Sequence, residues 1–170
     1  MQYTVEFDTA RFGRLMDALR RELENPEDML TSFGEALLRV NRERHRQGVT
    51  PDGDPWAKLK HPDMPPNRQG GPLNRTGKML RSLHYQVDGD TLTLGFDDDD
   101  GFPAKFHHEG SRAHVIEAKN KKALKFMGIV RKRVQHPGLP ARPLLGFPES
   151  DQKLLEKVTQ DHIEAISNGV

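Results

Sequence analysis

Three prolines and two glycines fall within the twelve residues from His136 to Phe147, HPGLPARPLLGF. Proline fixes φ and donates no backbone hydrogen bond, and glycine permits φ > 0. No regular helix or strand runs through such a segment, so it must form a rigid, shaped connection between the residues on either side. A second stretch, residues 48–75, holds Pro51, Pro55, Pro62, Pro65, Pro66 and Pro72 together with Gly48, Gly53, Gly70 and Gly71. A connection of that length is uncommon in a small domain and is usually functional or disordered. Lys60–Gly71 is almost free of apolar residues, which predicts a mobile arm within 48–75. Trp56, the only tryptophan, is the exception and should anchor this loop, either on the core or on a partner.

The remaining blocks carry clear periodicities. Tyr3, Val5 and Phe7 alternate as in a short strand. Phe12, Leu15, Met16, Leu19 and Leu23 recur at helical spacing. Asn25-Pro26-Glu27-Asp28 is a strong helix start: Asn accepts from free amides, Pro suits the first turn, and two acids face the positive helix end. Met29, Leu30, Phe33, Leu37 and Val40 make one apolar face, so this helix should run to about His45 and stop at Gly48. Thr76 should cap a short helix over 77–83. Tyr85 and Val87, then Leu92, Leu94 and Phe96, alternate around Asp88-Gly89-Asp90, the signature of a hairpin. Residues from about Ala104 to Glu109 predict a short helix ending at Gly110. Residues 114–118 and 124–135 read as further strands, the latter folded about Gly128. Ser150 should cap a last helix over 151–167. Helices on both sides of a small antiparallel sheet indicate an α+β fold, with the N-terminal helices and the C-terminal helix packed on the sheet. At 170 residues, one domain is expected.

Charge is segregated although the net charge is only +1. Gln86–Pro103 holds six aspartates and no Lys or Arg, whereas Ala118–Pro148 holds eight Lys/Arg and no acid. The two stretches can pair within the fold, or between neighbouring copies in head-to-tail contacts. The basic part, residues 119–133, also invites a nucleic-acid reading. Its apolar residues include a single aromatic, Phe126, whereas single-strand binders present several stacking rings. There are no cysteines, so disulfides and thiolate metal sites are excluded. No apolar run approaches the roughly 20 residues of a membrane span, and Met1–Asp8 lacks the character of a signal peptide. A soluble protein made in the cytosol is expected.

Catalytic patterns are not found. His108-Glu109 is followed by Arg112 where a zinc-protease helix needs its second histidine. Asp97–Asp100 with Gly101 resembles part of a calcium loop, but the terminal positions, Phe96 and His107, lack carboxylates. Nucleophile elbows, phosphate-binding loops and dinucleotide fingerprints are missing. No catalytic residue, metal ligand or cofactor is expected.

Several fragments occur in a telling order: GDPWAKL (53–59), LNRTGKMLRSL (73–83), AKFHHEG (104–110), KKALKF (121–126) and HPGLPARPLLGF (136–147). This set resembles the phage virion morphogenesis family, which includes tail-completion proteins of Mu-like contractile-tailed phages. The resemblance covers about residues 10–165, and Arg142-Pro143-Leu144-Leu145-Gly146 is its most specific part. One position departs, with His108-Glu109 where the family carries glutamine after a histidine. The resemblance implies a structural protein of tail completion or head–tail joining in a phage or prophage, acting in the host cytoplasm and then in the virion tail or neck. It would form a ring and contact other tail or connector proteins, with no membrane partner and no catalysis. The candidate partner-interface residues are Trp56, Asp98, Asp99, His107, Lys121, Lys122, Arg131, Arg133, His136 and Arg142.

Overall fold

The computed structural model describes residues 9–59, 72–118, 122–126 and 128–169. The expected strand within 2–8 and the expected mobile stretch 60–71 lie outside these residues, as does Lys121. The described chain is α+β, with five helices and six short strands among the described residues. It clusters into two compact units, one of residues 1–40, 84–95 and 147–170 and one of 41–83 and 96–146.

The first unit is built mainly from helices. α1 (Thr9–Glu24) and α5 (Glu149–Asn168) pack on each other, and His162 Nε2 lies 2.7 Å from Glu22 Oε1. α2 (Glu27–Gln47) opens with Glu27 and Asp28 in its first turn, where the acids complement the helix dipole. Its apolar face buries Phe33, Ala36 and Leu37, and the Phe33 ring meets Phe147 edge-on at 6.2 Å. Gly34 lies against the Tyr85 ring so closely that no Cβ fits. Tyr85 donates its hydroxyl to Glu35 at 2.9 Å. The apolar stripe of α1 is less covered: Leu15 and Leu19 are half-buried, while Phe12, Met16 and Leu23 are exposed. α5 starts one residue before the expected Ser150 cap. Pro148 holds the cap position in extended conformation, and its carbonyl accepts from the Asp151 and Gln152 amides. A proline, whose φ is already set, stands at the start of the helix without a side-chain cap.

The second unit has a small apolar core of Trp56, Met79, Ala104 and Leu144, with Leu73, Phe96 and Leu145 packed against it. α2 ends as expected at Gly48, which takes a left-handed φ of 72°. The chain then folds back as a tied loop: Trp56 N–H donates to the Gly48 carbonyl at 2.8 Å, and Thr50 N–H to the Asp54 carbonyl at 2.7 Å. α3 is only Lys78–Arg81. Gly77, left-handed at φ 75°, holds the expected cap position of Thr76, while the Thr76 hydroxyl still accepts from Lys78 N–H at 3.4 Å. α4 (Pro103–Glu109) starts with proline in its first turn and stops at Gly110.

The expected single sheet is instead three two-stranded ribbons. β1 (Leu83–Asp88) and β2 (Thr91–Phe96) form the expected hairpin around Gly89 and Asp90. β4 (Leu124–Phe126) and β5 (Ile129–Arg131) turn at Gly128 in the register Phe126↔Ile129. β6 (Arg133–His136), expected to continue that pair, returns to β3 (His114–Glu117) in the register His114↔His136. The physical reason for three ribbons is that β3 has no buried face. All four of its residues are exposed, Val115 and Ile116 included, so among the described residues no third strand or helix covers either face.

Candidate functional site

Two features dominate the second unit: the Pro/Gly segment 136–147, which forms a strap over the core, and the acidic and basic stretches that precede it in sequence. The strap is fixed by named contacts. Arg142, only 3% exposed, donates from Nε to the Ala57 carbonyl at 2.8 Å and from Nη2 to the Lys58 carbonyl at 3.2 Å. Its Nη1 reaches the Pro140 carbonyl at 3.5 Å. The Arg142 amide donates to the His107 carbonyl at 2.7 Å, and the Leu144 amide to His108 Nδ1 at 3.2 Å. Trp56 Nε1 donates to the Pro143 carbonyl at 3.0 Å. The strap, the tryptophan loop and α4 are therefore one bonded assembly.

Trp56 and Arg142, two of the interface candidates, are buried in the single chain, with their side-chain hydrogen bonds on backbone carbonyls. Trp56 is the core anchor that its size favours. Arg142 acts as a guanidinium fork on backbone carbonyls, a role for which its fixed planar donors suit it.

Two further histidines complete the interior. His45, 4% exposed, stacks edge-on against Trp56 with ring centroids 5.4 Å apart. Burial first, and then the nearby His107, pushes its pKa down to about 4. His107 is lowered in the same direction by burial and by the Arg142 charge, and burial also lowers Arg142 itself. The shifts of His45 and His107 follow from moving a cation out of water beside another cation, and that of Arg142 from burial alone. His108 accepts a hydrogen bond through Nδ1, which requires that nitrogen to be unprotonated. His45 was not singled out in the sequence. The signal that would have found it is the spacing of four from Phe33 through Leu37 and Asn41 to His45, which carries the α2 stripe past its last apolar residue.

The remaining candidates are at the surface. Asp97–Gly101 forms an acidic turn closed by the Gly101 amide donating to Asp97 Oδ1 at 2.9 Å. Asp100 pairs with Lys78 at 2.9 Å, while Asp98 and Asp99 are exposed. A cleft of about 540 Å³ lies beside this turn, lined in part by Arg75, Lys78, Asp99, Asp100 and His107. No group of three or more His, Asp or Glu suited to holding a metal occurs among the described residues. Lys122, Arg131 and Arg133 are exposed on or beside the ribbons, and Arg133 pairs with Glu117 at 3.3 Å. His136 stacks on its cross-strand neighbour His114 at 5.0 Å and accepts from the Gly138 amide through Nδ1 at 3.1 Å. Among the described residues, the ion pairs of the acidic turn and of the basic ribbon go to Lys78 and Glu117.

No helix among the described residues is long and apolar enough to cross a membrane. Comparison with curated proteins and with solved structures gives no match. The model of the phage virion morphogenesis family matches residues 7–164, a span that takes in α1, the tryptophan loop, the ribbons, the strap and most of α5. The chain belongs to the phage virion morphogenesis family.

Proposed function

We propose that this chain is a structural component of tail completion or head–tail joining in a tailed phage or prophage, working as one module through protein–protein contacts and without catalysis. The observation that carries this reading is how the family's most specific segment is used. Arg142 and the strap around it spend their hydrogen bonds on backbone carbonyls and amides of the core, a scaffolding role, rather than converging on a cleft. What the scaffold exposes is charge: an acidic turn and a basic ribbon. Surfaces of opposite sign on one chain suit repeated heterologous contacts, which close into a ring when the rotation permits. Assembly would take place in the host cytoplasm, and the chain would end in the virion tail or neck beside other tail or connector proteins.

Gold-labelled antibody against the chain on purified particles tests this directly. Label at the head–tail junction or the upper tail is the expected result. Particles free of the chain by labelling and by mass spectrometry would refute it.

A second reading, that residues 119–133 bind nucleic acid, has one feature in its favour. A two-stranded basic ribbon is of a shape that a DNA major groove admits. Binding that falls steeply with added salt would support it, and no binding at low salt would dismiss it.

A further inference from the structure

Between Ser111 and Leu139 the described residues form two short ribbons, β3–β6 and β4–β5, with little of their own to hold them. The base of β3–β6 is a pair of bonds between Ser111 and Leu139, each amide donating to the other's carbonyl, at 2.9 and 3.0 Å. Above the base come β3 and β6, one further bond from Ala118 N–H to the Lys132 carbonyl, and then β4 and β5. Among the described residues no strand of these ribbons pairs with a third. One face of the β3–β6 pair carries Val115, Glu117, Arg133 and Gln135, all exposed. Nearer the tip, Val130 is 60% exposed opposite Lys125. A two-stranded ribbon is marginal in water alone, and an open edge that bears apolar residues is usually covered.

What covers it is constrained by charge. Arg112, Lys122, Lys125, Arg131, Lys132 and Arg133 are exposed along the ribbons, against the one acid Glu117. The Glu117–Arg133 pair is itself well exposed and contributes little. The cover must therefore be acidic and must also accept valine and isoleucine side chains. That second requirement favours a protein over a nucleic acid, which would call for stacking rings rather than aliphatic groups. An acidic surface with an exposed apolar group beside it lies on the same chain, where the acidic turn runs into Phe102, 62% exposed. Asp98 and Asp99 are exposed and without an ion partner among the described residues, because Lys78 takes Asp100.

We propose that the β3–β6 and β4–β5 ribbons, through Arg112, Lys122, Lys125, Arg131, Lys132 and Arg133, are the docking surface for a second copy of this chain, which they meet at the acidic turn Asp97–Gly101. The contact is heterologous, with the ribbons of one copy against the turn of the next, so each copy keeps one free surface of each kind. It gives the ring of the proposed function its interface, and rests on that reading only for its purpose in the virion.

Charge exchange tests it on the full chain. One variant carries Asp98→Lys and Asp99→Lys, the other Lys125→Glu and Arg131→Glu. All four positions are exposed, and circular dichroism checks that both variants fold. By sedimentation velocity at low salt, wild type should self-associate, and association should weaken as salt screens the pair. Each variant alone should associate at least tenfold more weakly. An equimolar mixture of the two should recover association, because opposite charges meet again. Variants that associate like wild type, a mixture that does not recover, or a wild type monomeric at every accessible concentration would each overturn the contact. A labelled DNA duplex bound by wild type and released by Lys125→Glu/Arg131→Glu, with self-association unchanged, would assign the ribbons to nucleic acid and overturn the contact as well. None of these results bears on where antibody labels the virion, so the contact can fail while the assembly role stands.

Discussion

Arg142 donates from Nε to the carbonyl of Ala57 at 2.8 Å, across 85 positions of sequence. That bond joins the tryptophan loop to the proline–glycine strap, and its neighbour to the Lys58 carbonyl leaves the chain tied at the point where residues 60–71 begin. The guanidinium is nearly solvent-free and its described hydrogen bonds go to backbone oxygens. Its removal would strand two carbonyls that have no other described partner at this distance.

Arg142→Ala should therefore destabilise the chain by about 2–4 kcal/mol, the range for leaving buried polar groups unpaired after loss of a charged donor. Arg142→Lys should recover little, since an ammonium cannot reproduce the fork. Urea unfolding, read by far-ultraviolet circular dichroism, measures both. A loss below about 0.5 kcal/mol for the alanine variant would remove the clip from the account.

Trp56 offers a local probe, because its fluorescence is the only indole signal in the chain. Trp56→Phe keeps a large ring but loses the bond to Pro143, and should cost about 1–2 kcal/mol. Trp56→Ala also opens the core beside Met79 and Leu144 and should cost about 3–5 kcal/mol. Thermal midpoints of the three proteins give the order.

Acid should weaken the fold through His45. Its pKa in the folded state is about 4, below the ordinary 6.5, so the unfolded chain binds the proton more readily over the interval between. Stability should be complete above pH 6.5 and decline as pH falls toward 4, with a slope of at most about 1.4 kcal/mol per pH unit for this group. His107, lowered in the same direction, adds to the slope. Urea midpoints at pH 7, 6, 5 and 4.5 measure the decline, and His45→Leu should flatten it. An unchanged slope in that variant would place the acid sensitivity elsewhere.

Two glycines should respond oppositely to alanine. Gly138 has φ 86°, and a Cβ there would run into the Ser111 carbonyl at the base of β3–β6. Gly138→Ala should cost about 2 kcal/mol or more by strain and overlap. Gly13 lies within α1 with open space around it, so Gly13→Ala should stabilise by up to about 1 kcal/mol. Calorimetric melting of the two variants gives both signs.

Much of this architecture could be read from residue order because it depends on local chemistry. Pro26 with Glu27 and Asp28, Gly48, the Asp88–Asp90 hairpin turn and Gly110 each impose a backbone choice that does not depend on distant residues. The family, too, could be read from ordered fragments. The pairing of β6 with β3 could not, because 133–136 continues the strand pattern of 124–131 and nothing local says which partner it takes. Ser150 misled for a related reason: a good capping residue beside a proline does not reveal which of the two starts the helix. Arg142 looked like a surface cation because arginine usually is one. Its burial depends on carbonyls that lie 84 and 85 residues earlier in the chain. The acidic and basic stretches were visible, but that Asp100 pairs with Lys78 and Arg133 with Glu117 depends on contacts no local pattern shows.

The central claim is that this chain completes a virion by contact alone. The most direct measurement is the infectious titre and electron microscopy of a phage whose gene for this chain is disrupted, complemented in trans. Without the chain, the titre should collapse, with heads and tails present but unjoined, or with tails that lack their upper end. Wild-type chain should restore it. Normal, fully joined particles at normal titre without the chain would contradict the account.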